Sequence, residues 1–195
     1  MLKRKQNVEE YLSSSEKVKH KLDVMRKYDT TFSSYDKLHR EEQYGKYMAV
    51  LDIVKTAFKG KTTVLDLGCG TSLLYEFALK MLDENCLTYY VGLDLSINML
   101  KIAKRKVKRN TVILSDLLQG DAEFLPFRNE CFDFILSFST FQNLPHVELA
   151  ILEVKRTLRN KSSKAIISVP KKVNVNINIK GKEVFEGKYD IIYVI

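Results

Sequence analysis

Two glycines and a nearby carboxylate form the part of this sequence best suited to binding a small charged molecule. Gly68 and Gly70 follow an apolar run at residues 64–67 that contains Asp66. An apolar run without alternation is typical of a parallel strand covered on both faces. Glycine has no Cβ, so a ligand can reach the loop backbone. A strand, a glycine loop and a helix in this order indicate a nucleotide-binding turn, although a tight connection without a ligand uses the same residue types.

Two further acidic residues stand at the predicted ends of the next strands. Asp94 ends the second strand, 28 residues beyond Asp66. A carboxylate there can accept hydrogen bonds from both hydroxyls of a ribose. The alternative is that Asp94 caps the helix that starts near Ser96. Asp121 follows the third strand, where its carboxylate can accept from an adenine amino group while the Ala122 amide donates to a ring nitrogen.

The glycine loop fits a nicotinamide or flavin dinucleotide poorly. In the fingerprint G-x-G-x-x-G, counted from Gly68, the third small residue would fall on Leu73. Asp66 also has no counterpart in that fingerprint. Both departures weaken the case for NAD or FAD.

Three stretches closely resemble the first three motifs of the class I S-adenosylmethionine (SAM)-dependent methyltransferases. They are Val-Leu-Asp-Leu-Gly-Cys-Gly-Thr from residue 64, Gly-Leu-Asp-Leu-Ser-x-x-Met-Leu from residue 92 and Gly-Asp-Ala-Glu-x-Leu-Pro-Phe from residue 120. They occur in the family's order and spacing, and the resemblance covers roughly residues 28–170. It implies SAM as the cofactor, S-adenosylhomocysteine as its product and methyl transfer as the activity.

The resemblance also implies which residues contact the cofactor. In the family, the glycine loop lies against the amino-acid end of SAM, and the acidic residue before it helps to organise the ammonium group. The cofactor-binding residues predicted in this way are Tyr28, Asp66, Gly68, Cys69, Gly70, Asp94, Leu95, Met99, Asp121, Ala122 and Ser137.

The methyl acceptor is expected at the end of the fourth strand, where residues 137–143 read Ser-Phe-Ser-Thr-Phe-Gln-Asn. Relatives that methylate the planar amino groups of adenine or glutamine carry an Asn-Pro-Pro-Tyr type tetrapeptide here, so its absence disfavours those acceptors. No catalytic residue is predicted. A strong base is needed only for a protonated acceptor, and His20, His39 and His146 are scattered along the chain.

The chain is predicted to divide into a charged helical N-terminal extension, residues 1–27, and a single domain, residues 28–195. Tyr28, Phe32 and Tyr35 fall on one face of a predicted helix. These rings either pack the helix against the domain or cover the cofactor as a lid. A Tyr-Asp segment of this kind resembles the one upstream of the glycine loop in many small-molecule and tRNA methyltransferases.

Helical and strand-like stretches alternate along the rest of the chain. They predict an α/β fold, namely a Rossmann-like, doubly wound, mainly parallel sheet with an antiparallel strand at the C-terminal edge. The fifth strand is expected at residues 165–170, an alternating strand at 173–179 and a last strand at 189–195. The cofactor is expected across the carboxyl ends of the parallel strands.

Composition adds expectations about location and partners. The 195 residues carry a net charge of +8, which favours polyanionic partners. Lys101 and Arg109 bound a basic run interpreted mainly as a solvated helix face, with RNA phosphate contact as the alternative. Cys69, Cys86 and Cys131 form no CxxC pair, which argues against zinc and a disulfide framework. No apolar run reaches membrane-spanning length, and a cytoplasmic protein is predicted.

Taken together, the residues and the resemblance predict a SAM-dependent methyltransferase. The acceptor is expected to be a small molecule or a tRNA or other RNA. The alternative is a non-catalytic protein that binds SAM or nucleic acid on the same fold.

Overall fold

The computed structural model describes residues 15–57, 61–81, 89–109, 113–173, 177 and 183–195. Six α-helices and seven strands lie within these ranges. The helices are α1 (Ser15–Thr31), α2 (Tyr35–Ala49), α3 (Leu51–Ala57), α4 (Leu73–Met81), α5 (Ile97–Val107) and α6 (Val147–Thr157). The strands are β1 (Thr63–Leu67), β2 (Tyr89–Asp94), β3 (Leu114–Gln119), β4 (Phe134–Phe138), β5 (Lys164–Pro170), β6 (Glu183–Glu186) and β7 (Asp190–Val194).

The seven strands form one sheet in the order β3-β2-β1-β4-β5-β7-β6. β1 to β5 are parallel, and β7 runs antiparallel to both β5 and β6. The predicted α/β fold with a mainly parallel sheet is confirmed. The antiparallel C-terminal edge is confirmed as well: β6 forms it, paired with β7, which lies between β5 and β6. The β7 residues Ile192, Tyr193 and Val194 are buried, which favours an interior position over an edge.

Helices cover both faces of the sheet, as a doubly wound fold requires. Val64 packs on one face in the cluster that includes Tyr47 and Phe77, whereas Leu65 and Leu67 pack on the other face with α6. Successive side chains of a strand point to opposite faces. The alternation therefore places Asp66 on the Val64 face, beneath α2 and α4.

The N-terminal helix ends earlier than predicted. α1 runs through the expected boundary between residues 27 and 28, and it ends at Thr31 before α2 begins at Tyr35. The prediction of one helix across Tyr28, Phe32 and Tyr35 is therefore wrong. The hydroxyl of Ser34 donates to Thr31 O at 3.2 Å, and such side-chain bonds compete with the helical backbone pattern.

Three expectations fall wholly or partly outside the described residues. They concern the extension before residue 15, Cys86 and most of the strand expected at 173–179. Residues 171–173, which are described, form a turn after β5. In the part of the chain that the structure describes, none of the helices has the length and apolar character needed to cross a bilayer.

Candidate cofactor and acceptor site

A cleft opens where the parallel strands end. Residues at the ends of β1, β2, β3 and β4 form one side of the cleft. Residues of α1 and the start of α2 form the opposite side. The bordering residues are Lys21, Val24, Tyr28, Tyr35, Gly68, Gly70, Leu93, Asp94, Leu95, Met99, Gly120, Asp121, Ala122, Phe138, Ser139, Thr140, Asn143 and Leu144. Carboxyl ends of parallel strands are the usual ligand position in such sheets.

The two glycines of the β1–α4 loop serve different purposes. Both have positive φ, +79° at Gly68 and +53° at Gly70, a region that side chains disfavour. A Cβ on Gly68 would lie 2.1 Å from Thr140 Oγ1, whereas a Cβ on Gly70 would have no atom of the described residues within 4 Å. Gly68 is therefore required by packing against Thr140. Gly70 keeps open space beside the loop, which a ligand can fill.

Asp94 fixes the glycine loop to the start of α5. Its Oδ2 accepts from the Gly70 N–H at 2.8 Å, and its Oδ1 accepts from the Ser96 N–H at 2.8 Å. Burial raises the pKa of Asp94, and the two backbone donors act in the opposite direction. The cap of α5 is Ser96, whose Oγ accepts from the Met99 N–H. Each Asp94 oxygen can accept a second hydrogen bond from a ligand in the cleft.

At the Asp121 end of the cleft, an ion pair joins α1 to the loop after β3. Lys21 Nζ contacts Asp121 Oδ2 and lies 2.7 Å from Glu123 Oε2. Asp121 Oδ1 in turn accepts from the Glu123 N–H at 2.9 Å. The carboxylate predicted to face an adenine ring is thus shared with a lysine of α1. Ala122 is buried beside it and borders the cleft.

The structure brings eight of the eleven predicted cofactor residues to this cleft. They are Tyr28, Gly68, Gly70, Asp94, Leu95, Met99, Asp121 and Ala122. Three predicted residues do not border it. Asp66 and Cys69 line a small recess behind the glycine loop, and Ser137 is buried, with its hydroxyl donating to Leu67 O at 2.8 Å.

Asp66 lies behind the loop because strand alternation turns its side chain beneath α2. Its Oδ2 accepts from the Tyr90 hydroxyl at 2.6 Å. Burial raises the pKa of Asp66 to about 7, although the bond from Tyr90 acts to lower it. A carboxyl with this pKa exists in both protonation states near neutral pH.

Several bordering residues were missing from the predicted set. Ser139, Thr140 and Asn143 belong to the stretch expected near the acceptor, and Leu144 follows it directly. Tyr35 belongs to the aromatic pattern that includes Tyr28. The two rings are in contact, with centroids 6.2 Å apart. Lys21 and Val24 had no local signal, because their role depends on where α1 crosses the sheet.

Comparisons with known proteins agree with this architecture. A model of the methyltransferase domain family matches residues 65–166, just over half of the chain. An uncharacterised protein of Methanocaldococcus jannaschii is 36% identical over 144 residues, covering 73% of this chain and 50% of that protein. A demethylmenaquinone methyltransferase of Listeria welshimeri is 32% identical over 130 residues, covering 66% of this chain and 52% of the relative.

A solved structure shows the same fold. It is a Methanococcus maripaludis protein proposed to be a SAM-dependent methyltransferase, with TM-score 0.68, 18% identity, and coverage of 88% of this chain and 92% of that chain. The fold and the site define a Rossmann-like protein with its cleft at the strand ends. The chain belongs to the class I SAM-dependent methyltransferase family. It spans about half the length of the two curated relatives described above.

Proposed function

We propose that this protein transfers the methyl group of SAM to a small-molecule acceptor. The observation that carries the proposal is that the glycine loop, Asp94 and the Asp121-Ala122 pair border one cleft. The family match at residues 65–166 includes all of them. The demethylmenaquinone methyltransferase relatives are named for a small acceptor, which supports this acceptor class over a macromolecule.

The donor and acceptor groups of the cleft fit SAM. Asp94 would hold the ribose hydroxyls, and the open space beside Gly70 would take the amino-acid part. Asp121 and Ala122 would face the adenine, next to the apolar side chains of Leu95 and Met99.

The three residues behind the cleft would act on the cofactor through the loop. Asp66 and Cys69 lie against the rear of the glycine loop, where the Asp66 carboxylate would favour the ammonium group of SAM. Ser137 would act through Leu67 O, the carbonyl immediately before Gly68. Bound SAM supplies a methyl group activated by a sulfonium.

The protein's own contribution is positioning and exclusion of water. Tyr28 of α1 and Tyr35 at the start of α2 border the cleft and would shield a bound cofactor from water. Holding two reactants in a productive geometry removes much of the barrier of a two-molecule reaction. This mode of catalysis needs no acid–base pair when the acceptor already carries a lone pair.

A small acceptor is favoured over RNA by the walls of the cleft. α1 lies across it, anchored by Lys21, so a folded polynucleotide would have to displace a helix. RNA remains the second acceptor class, and a protein that binds SAM without turnover remains the non-catalytic alternative.

The test uses SAM labelled in its methyl group together with separated small-molecule, RNA and protein fractions of a cell extract. We expect label in the small-molecule fraction and formation of S-adenosylhomocysteine. Label in RNA would overturn the acceptor class, and SAM binding without S-adenosylhomocysteine would favour the non-catalytic alternative.

The variant Asp94→Ala tests the cofactor assignment. It should weaken SAM binding by about 1.5–3 kcal/mol, because hydrogen bonds to a charged acceptor are lost. Calorimetry on the folded variant measures this, with NADH as the control ligand. Unchanged SAM affinity would remove Asp94 from the cofactor site, and tight NADH binding would overturn the choice of cofactor.

A further inference from the structure

Ser139 occupies an unusual position at the acceptor end of the cleft. It follows β4 directly and adopts a positive φ of +58°, which non-glycine residues rarely adopt. Its N–H donates to Ser168 O at 3.0 Å, and its carbonyl accepts from Gln142 Nε2. Conformations of this kind persist where the surroundings over-determine them, and they cluster at functional sites.

A buried lysine is directed at the Ser139 hydroxyl. Lys46 of α2 has a side chain only 2% exposed, and its Nζ donates to Ser139 Oγ at 2.6 Å. The same Nζ forms ion pairs with Glu42 at 2.8 Å and with Asp190 at 3.2 Å. Buried charges are normally paired, and here the paired ammonium retains a contact with a residue of the cleft wall.

The contacts of Ser139 Oγ decide what the hydroxyl can offer. A hydroxyl has one donor and two acceptor positions. Lys46 Nζ fills one acceptor position, and Gln43 Nε2 lies 3.5 Å from the same oxygen. The hydroxyl proton is therefore the function left for a molecule in the cleft. The bond from an ammonium strengthens it as a donor.

Tyr28 repeats this arrangement at the same end of the cleft. Asn143 Nδ2 donates to the Tyr28 hydroxyl oxygen at 3.1 Å, which leaves the Tyr28 proton available. Burial raises the pKa of both Tyr28 and Tyr35, so both phenols stay neutral and can donate. Tyrosine and serine thus present hydrogen-bond donors to one space.

Two helices and a strand supply the titratable groups described around this space. Glu42 and Lys46 come from α2, and Asp190 comes from β7. His20 of α1 contacts Asn143 O at 3.1 Å. The described residues that border the acceptor end, which are Tyr28, Tyr35, Phe138, Ser139, Thr140, Asn143 and Leu144, include neither a carboxylate nor an imidazole that could remove a proton.

We propose that the Ser139 hydroxyl, held by Lys46, donates a hydrogen bond to an ionised oxygen of the methyl acceptor, and that the acceptor is a phenolate. The proposal rests on the methyltransferase function proposed above. The aromatic and apolar side chains of Tyr35, Phe138 and Leu144 suit a phenol ring. Lys46 acts through Ser139 and is a positioning residue.

An ionised acceptor removes the need for a base. In oxygen methylation, a lone pair of the phenolate forms the new bond to the methyl carbon. The electron pair of the breaking carbon–sulfur bond returns to sulfur, which becomes the neutral thioether of S-adenosylhomocysteine. No proton has to leave, in agreement with the hydrogen-bond donors that Tyr28 and Ser139 present to this space.

The test measures the ionisation of a bound phenol without turnover. The probe is 4-nitrophenol, whose ionised form absorbs visible light, added to protein saturated with S-adenosylhomocysteine. The pH midpoint of the bound probe should fall by about one unit, because hydrogen bonding to the charged form favours it. A bound probe that titrates as in water, or no bound nitrophenolate at all, would overturn the proposal.

Variants separate the role of Ser139 from general stability. Ser139→Gly removes the hydroxyl, and glycine accepts the positive φ, so the variant should fold, bind S-adenosylhomocysteine and lose the shift. Lys46→Met should also make the fall in the pH midpoint smaller. Lys80→Met, which removes a half-exposed lysine of α4, is the control and should keep the full shift.

Two results would count against different proposals. A full shift in Ser139→Gly would show that another group stabilises the phenolate, and would overturn the inference. Absence of S-adenosylhomocysteine binding in the wild-type protein would instead overturn the proposed function on which the inference rests.

Discussion

At the scale of single residues, we expect Asp66 to make SAM binding depend on pH. The carboxyl is buried, hydrogen-bonded by Tyr90 and has a pKa raised to about 7. If the ammonium of SAM lies near it, the bound state favours the carboxylate, so binding must release a proton wherever Asp66 is protonated in the free protein. SAM affinity should rise with pH up to about 7 and level off above it.

Calorimetry of SAM binding in buffers of different ionisation enthalpy measures that proton. Near pH 7 we expect release of roughly half a proton, since a group at its pKa is half protonated. Asp66→Asn still accepts from Tyr90 but cannot titrate, so it should release none. Equal release by the variant and the wild-type protein would assign the proton to another group.

We expect an alanine substitution to have different effects at the two loop glycines, on stability at Gly68 and on SAM binding at Gly70. Gly68→Ala places a Cβ against Thr140, whose hydroxyl donates to Leu67 O. It should cost about 2–4 kcal/mol of unfolding free energy, from overpacking and from the left-handed backbone. Gly70→Ala has only the backbone cost of about 1 kcal/mol, but should weaken SAM binding by filling the space beside the loop.

Urea unfolding and SAM calorimetry on the two variants separate stability from binding. The assignment of Gly70 to the cofactor would fail if Gly70→Ala bound SAM as tightly as the wild-type protein does. The packing role of Gly68 would fail if Gly68→Ala were as stable as Gly70→Ala.

At the scale of elements, α1 has the contacts expected of a lid. It reaches the cleft through Lys21, Val24 and Tyr28. Polar contacts anchor it to the domain, including Lys21 with Asp121 and Glu123 and a hydrogen bond between Asp29 and Ser96. Val18 and Leu22 are exposed, so these two apolar side chains contribute little to holding α1 in place.

Hydrogen exchange tests whether α1 closes on the cofactor. Residues 15–31 should exchange more slowly when SAM or S-adenosylhomocysteine is added, because a lid completes its contacts on binding. Lys21→Met should speed exchange in α1 while leaving β1 and β4 protected. Tyr28→Ala should lower SAM affinity.

If exchange in α1 is the same with and without ligand, and Tyr28→Ala lowers only thermal stability, then the aromatic contacts of α1 are ordinary packing.

At the scale of the whole molecule, the +8 net charge is not all available to a partner. Lys106, inside the basic run of α5, has a side chain 14% exposed and pairs with Asp36 and Glu76 at 2.6 and 3.3 Å. Lys104 and Arg105 are exposed. The outward face of α5 therefore remains basic, while Lys106 joins α5 to α2 and α4.

Retention on RNA over a range of salt concentrations tests the RNA alternative. We expect weak retention that falls steeply with salt and shows no sequence preference, because it comes from counterion release at phosphates. Charge reversal at Lys104 and Arg105 should weaken it for all RNAs alike. Lys106→Ala should lower the free energy of unfolding but have only a small effect on retention on RNA. Tight, sequence-dependent binding at physiological salt would return RNA to the leading acceptor class.

The sequence by itself determined the parts of the protein that are continuous along the chain. The strand, glycine loop and helix around Gly68 occupy adjacent residues, and so do the Asp94 and Asp121 turns. Their local patterns therefore predicted both the elements and the cleft that they border. The mainly parallel fold followed from the same order of elements, since parallel strands require crossover connections.

Tertiary structure decided whatever depends on partners distant in sequence. Lys21 meets Asp121 across 100 residues, and Lys46 meets Ser139 across 93. The helix break before Tyr35, the buried position of Asp66 and the insertion of β7 inside the sheet also depend on packing. Local propensities rank conformations of a segment, but burial of apolar area and pairing of buried charges select among them only when the whole chain is assembled.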